Sequence, residues 1–139
     1  MGVPIDRTYP AANRELRRAI ERRGCVISEY PPESDAVGTV GFLQRNRLIA
    51  ALSGALVVLE AKEKSGTMST VGHAERYGKP VFAVPGSIFS PASAGTNALL
   101  RDGRAKAVCT AADLFGTLGL SAARPAPPPK AAPLSLIHI

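Results

Sequence analysis

The chain of 139 residues contains no tryptophan and only three tyrosines and four phenylalanines. That scarcity excludes a broad aromatic platform for successive bases and leaves room for one or two stacking residues. Cysteine is equally sparse. Cys25 and Cys109 offer neither a disulfide framework nor zinc-ligand spacing, and they read as buried thiols of an intracellular protein. Of the two histidines, only His73 falls inside the periodic part of the chain, where it reads as a core or surface residue, so no metal is expected. No apolar run is long enough to cross a bilayer, and Met1–Asp6 lacks the basic flank and apolar centre of a secretory signal. A cytoplasmic chain without a membrane partner is the expectation. Neither Gly-x-Gly-x-x-Gly nor Gly-Lys-Ser/Thr occurs, so the signatures of dinucleotide and triphosphate binding are missing. Ser28, Ser53 and Ser65 have no evident histidine partner, and Glu60 stands alone at a strand end. A binding module without a cofactor therefore ranks above an enzyme. Acidic residues are outnumbered 11 to 17 by lysine and arginine, a net charge of +6 that favours anionic partners without identifying one.

What is present is an alternation of short apolar strands and helices. Asn13 through Arg23 reads as a helix with Leu16, Ala19 and Ile20 as its apolar stripe, stopped by Gly24. Cys25–Ser28 reads as a strand, Tyr30–Gly41 as a loop, and Phe42–Leu52 as a helix with Leu48, Ile49 and Leu52 turned inward. Ala55–Leu59 is continuously apolar, the pattern of a parallel strand covered on both faces. Helices over Thr67–Tyr77, Asn97–Arg101 and Ala111–Leu118 alternate with strands over Val81–Val84 and Ala105–Cys109. The result is an α/β fold with four strands, a mostly parallel sheet flanked by helices that looks like the later part of a larger doubly wound domain. From Ala122 the composition changes to a proline-rich linker or disordered tail. The organisation is thus a domain over 1–120 and a tail over 121–139. The terminal Leu134-Ser135-Leu136-Ile137-His138-Ile139 resembles a translated sequencing adapter, so His138 receives no function.

Ligands of open α/β sheets collect beyond the carboxyl ends of the strands. Three loops are expected there: Glu29–Gly41, Glu60–Thr67 and Pro85–Asn97. Ser65-Gly66-Thr67 opens a helix, where unpaired backbone N–H groups suit an anion, and Ser65 or Thr67 equally suits a helix cap. Arg45 and Arg47 supply forked guanidinium groups fit for phosphate, but two residues apart on a helix they point in different directions. One is expected at the ligand and the other paired with Glu60 or a neighbouring chain. Asn46 either fixes a loop or meets a base, and Phe42 either stacks on a base or packs at the helix start. Gly86 permits close approach of backbone.

These pieces also carry a resemblance. Asp6, Tyr9-Pro10 and Asn13 are followed by Gly24 and Ile27-Ser28-Glu29-Tyr30-Pro31, then by Phe42, Arg45-Asn46-Arg47-Leu48-Ile49-Ala50 and Leu52-Ser53. Val57-Val58, Glu60-Ala61, Ser65-Gly66-Thr67, Ala74, Val84-Pro85-Gly86, Gly95-Thr96-Asn97, Leu99-Leu100 and Gly103-Arg104-Ala105 complete the order. In that order they resemble the DNA-processing protein A (DprA/Smf) family across about Asp6 to Leu118. The resemblance implies part of a Rossmann-like domain that binds single-stranded DNA, protects it during natural transformation and helps load a RecA-type recombinase, acting as a homodimer. It places Phe42, Arg45, Asn46, Arg47, Ser65, Gly66, Thr67 and Gly86 at or near the DNA pocket. The family's Gly-Ser/Thr-Arg motif and Ser-Gly-x-Ala-x-Gly-Ile-Asp run do not occur here, so the chain reads as a fragment. The alternative is an enzyme resembling nucleoside-monophosphate phosphoribohydrolases, although the Pro-Gly-Gly-x-Gly-Thr loop of those proteins is interrupted here between Gly86 and Gly95.

Overall fold

The computed structural model describes residues 1–34 and 38–119. The proline-rich tail, the terminal hexapeptide and the centre of the loop expected over Tyr30–Gly41 lie outside the described residues.

Three strands form one parallel sheet in the order β1 (Leu56–Val58), β2 (Val81–Ala83), β3 (Lys106–Ala107). Parallel neighbours need a crossover. The helix α3 (Gly66–Arg76) joins β1 to β2, and α4 (Ala94–Arg101), entered through a 3-10 turn at Pro91–Ser93, joins β2 to β3. Ahead of the sheet come α1 (Arg14–Glu21) and α2 (Gly38–Leu52), and α5 (Ala111–Leu118) closes the described chain. The α/β class and parallel sheet agree with the pattern of apolar runs. No described helix is long and apolar enough to cross a membrane.

The core forms where α2, α3 and α4 meet the sheet. Ala50, Val71, Ala74 and Leu99 pack with Val58 and Val81, all nearly solvent-free. Small residues dominate because the helices approach closely; α2 and α3 share the most extensive helix–helix contact of the molecule. Gly54, Ala55 and Val57 line a second cleft with Leu114 and Leu118 of α5.

Several expectations need correction. Cys25–Ser28 is not a strand: the sheet has three members, and this segment instead runs beside the first residues of the chain. Ser28 donates from Oγ to the Val3 carbonyl at 2.6 Å, and the Ile5 N–H donates to the Tyr30 carbonyl at 3.0 Å. The loop that follows it therefore does not start from a strand of the sheet. The helix α2 begins at Gly38, inside the expected loop, and buries Gly41, Asn46 and Ala50 instead of Leu52, which is 71% exposed. The helix α1 buries none of its residues. Both cysteines are exposed free thiols, because Cys25 lies in that irregular segment and Cys109 lies past the end of β3.

One ion pair ties α3 to the turn before β3. Arg104 donates from Nε and an Nη to the two Glu75 carboxylate oxygens at 2.8 and 2.9 Å. These bonds hold the Glu75 carboxyl below its ordinary pKa. A carboxylate depressed in the folded state stabilises the fold above its unfolded pKa of ~4.3 and loses that contribution as pH falls through the folded value. Both side chains are partly solvated, so a double-mutant cycle on Glu75→Gln and Arg104→Gln is expected to give at most about 1 kcal/mol at pH 7, vanishing near pH 2.

Candidate functional site

A cavity of about 410 Å³ opens between α2, the flank of β1 and the start of α3, and Phe42, Arg45, Asn46, Gly66 and Thr67 all line it. Asn46 is 6% exposed and donates from Nδ2 to the Gly66 carbonyl at 3.2 Å, so it fixes the loop to α2. Of the two roles open to Asn46, the loop-holding one is what this contact serves. Phe42 is half-buried between Tyr9, whose ring centroid lies 5.5 Å away, and the Arg45 guanidinium, 5.7 Å from its centroid. The ring thus braces Arg45 through a cation–π contact.

Ser65 occupies the N-cap position of α3 in extended conformation (φ −119°, ψ 158°), yet its side chain makes no capping bond. Its Oγ is buried without a hydrogen-bond partner among the described residues, and so is Nε of Arg45. Burial pushes the Arg45 pKa down from its usual value. A guanidinium remains charged all the same. A partly desolvated cation without a carboxylate is costly, and an anion that reaches it recovers that cost. No acidic residue lies in the first turn of α3, where free backbone N–H groups add positive potential.

Arg47 lies apart. It bonds the Glu29 carboxylate and faces a cleft with Tyr30 and Gln44. The two arginines do diverge, but the partner is Glu29, not Glu60. Gly86 is also outside the cavity. Its backbone is held by Asn97, which accepts from the Gly86 N–H at 3.1 Å and donates to the Gly86 carbonyl at 3.0 Å. A side chain at Gly86 would fall 2.2 Å from Ser93 Oγ, so this glycine serves close packing of the loop. Among the described residues no group of three or more His, Cys, Asp and Glu is placed to hold a metal.

Sequence reasoning gave no role to Tyr9, which braces Phe42, or to Asn97, which clamps the Pro85–Asn97 loop. Tyr9 gave no local signal, since its contact spans 33 positions of sequence. Asn97 did give one: an amide in the first turns of a helix beside a Pro-Gly turn suits paired backbone bonding.

With this geometry in place the comparisons with known proteins become specific. A profile of the DNA recombination-mediator protein A family matches residues 1–119. The chain belongs to that family. The DNA processing protein DprA of Bacillus subtilis is 40% identical over 110 residues, covering 79% of this chain and 36% of the relative. The DprA of Streptococcus pneumoniae is 39% identical over 115 residues, covering 83% and 40%. The chain therefore spans well under half the length of these relatives. The X-ray structure of the S. pneumoniae protein superposes with a TM-score of 0.76 at 38% identity, over 83% of this chain and 40% of that one. DprA from Helicobacter pylori, described for its single-stranded DNA binding mode, superposes at 0.75 with 34% identity, over 84% of this chain and 53% of that one. The family's fold and the α/β reading thus agree.

Proposed function

We propose that the cavity at Arg45 and the start of α3 seats a phosphate of single-stranded DNA, and that the chain is a DNA-binding module of the family's DNA-processing machinery. The observation that carries this reading is Arg45, a cation in the cavity wall whose Nε has no partner among the described residues, beside a helix N-terminus without acidic residues; Ser65, the N-cap of that helix, does not itself line the cavity. A guanidinium braced by Phe42, with the N–H groups of Gly66 and Thr67 at the start of a helix in the same cavity, matches an anion better than a neutral ligand. The description of the H. pylori neighbour as a single-stranded DNA binder supports the choice among anions. Protection of incoming DNA, assistance to a RecA-type recombinase, homodimer formation and action in the cytoplasm follow as parts of the same proposal. A phosphoribohydrolase would want a carboxylate in the cavity, and no Asp or Glu among the described residues lines it.

Backbone recognition has a thermodynamic signature. Each phosphate neutralised on a single strand contributes a slope of about −0.7 to the plot of log K against log salt. Fluorescence anisotropy with a labelled dT oligonucleotide is expected to show affinity falling steeply with salt, with mixed-sequence strands bound equally well. A flat salt dependence, or no binding, would overturn the reading; release of free base from a nucleoside monophosphate would replace it with the enzyme.

A further inference from the structure

The loop after β2 carries two apolar side chains that no described residue covers: Ile88 is 83% and Phe89 90% exposed. Exposed apolar residues at a loop tip are ordinary when the loop is loose. This loop is built to be firm. The double bond between Asn97 and Gly86 fixes its start, Ser87 accepts from the Phe89 N–H at 3.3 Å through Oγ, and the Ser90 N–H donates to the Ser87 carbonyl at 3.0 Å. Its end is stitched to the loop after β1: the Ala61 N–H donates to the Ala92 carbonyl at 2.9 Å, and the Gly95 N–H to the Ala61 carbonyl at 2.7 Å. Phe89 is three residues from Ala92, a reach of at most ~11 Å. Ala92 is bonded to Ala61, where the segment Ala61–Ser65 begins; that segment leads to the start of α3 and exposes Lys62 and Lys64 with no ion pair among the described residues, although Glu60 and Glu63 flank them.

The other aromatic residues are committed. Tyr9 and Phe42 pack on each other, Tyr77 on His73, Phe82 is fully buried, Tyr30 donates its hydroxyl to Gln44, and Phe115 is half-buried on α5. Phe89 alone presents an open ring face on a braced loop at the carboxyl edge of the sheet.

We propose that Phe89 is a base-stacking residue for the same single strand whose phosphate enters at Arg45, with Ile88 as its apolar support. This rests on the proposed DNA-binding function and adds the contact that holds a base. Stacking on an aromatic ring tolerates every base, because each has a π face, and it releases no counterions.

The absence of native tryptophan makes the test clean. Phe89→Trp creates the sole tryptophan of these 139 residues, and its emission is expected to be quenched as a dT oligonucleotide saturates the protein. An abasic strand of equal length should leave the emission unchanged. Phe89→Ala, which removes an exposed side chain, should retain its melting profile, bind dT about tenfold more weakly and keep the wild-type salt slope. If Phe89→Ala binds like wild type, or Phe89→Trp emission stays constant while anisotropy reports bound DNA, the stacking role is overturned and the DNA-binding reading stands. If the wild-type chain binds no DNA, both fall. If emission instead changes with protein concentration in the absence of DNA, and Phe89→Ala abolishes self-association, the pair is a contact between copies and the stacking role is overturned.

Discussion

Arg45→Glu is expected to abolish measurable binding of short dT oligonucleotides, while Arg47→Ala changes the affinity by no more than a few fold. Two arginines at nearly the same place in the sequence differ this much because of their surroundings. Arg47 already has the Glu29 carboxylate, in a solvated cleft. Removing such a pair costs about 0–1 kcal/mol and frees no site for an anion. Arg45 has no carboxylate partner among the described ion pairs, rests against Phe42 and buries an unpaired Nε. A hydrogen bond to a charged group is worth about 1.5–3 kcal/mol, so Arg45→Ala alone should weaken binding roughly 10- to 100-fold. Charge reversal adds repulsion of the phosphate to that loss. Arg45→Lys should recover only part, since a point charge lacks the planar fork and the face that rests on Phe42. Anisotropy titrations of the five proteins at one salt concentration check the order: wild type and Arg47→Ala tightest, then Arg45→Lys, Arg45→Ala and Arg45→Glu.

Gly95→Ala should destabilise the fold by about 1–3 kcal/mol, the cost of forcing an extra carbon into a packed site. The added Cβ would lie 2.7 Å from the Ala61 carbonyl oxygen and 2.8 Å from that of Lys62. Both obstacles are backbone, which cannot swing aside as a side-chain tip would. The strain would also bear on the 2.7 Å bond from the Gly95 N–H to Ala61, one of the two that join the loops at the carboxyl edge. Gly72 provides the contrast. It lies inside α3, and a Cβ there meets nothing within 4 Å. Gly72→Ala should therefore stabilise the protein by about 0.5–1 kcal/mol, since glycine in a helix loses more backbone freedom on folding than alanine. Urea melts should move the two midpoints in opposite directions with little change in slope.

The helices were legible where their ends carry local chemistry. Thr110 and Asp113 form a reciprocal capping box at the start of α5, and Gly78 and Gly119, both with positive φ, follow the ends of α3 and α5. The run Ala55–Leu59 announced a parallel strand because apolar residues without alternation mean cover on both sides. Cys25–Ser28 has a similar local composition, and its position beside residues 1–5 is set by contacts more than twenty residues away in sequence. The phase of α2 was misread for a related reason. Its buried positions are set by what it packs against, so Gly41, Asn46 and Ala50 are buried and Leu52 is not.

At the site, residue types were legible and their pairings were not. Ser-Gly-Thr before a helix fits a cap and a ligand seat equally, and what the structure adds is that the Ser65 side chain makes no capping bond. Glu29, 18 positions before Arg47, gave no local sign of neutralising it. Ile88 and Phe89 did leave a trace, as an apolar pair inside a loop otherwise made of small and polar residues.

The most direct measurement follows the Nε–H resonances of arginine in 15N-labelled protein during titration with a short dT oligonucleotide. If the cavity between α2 and α3 is the phosphate seat, the Arg45 resonance shifts and becomes protected from exchange at saturation, while that of Arg47 stays in place. An Arg45 resonance unmoved at full saturation, with the shifts confined to Arg47 or to the arginines of α1, would contradict it.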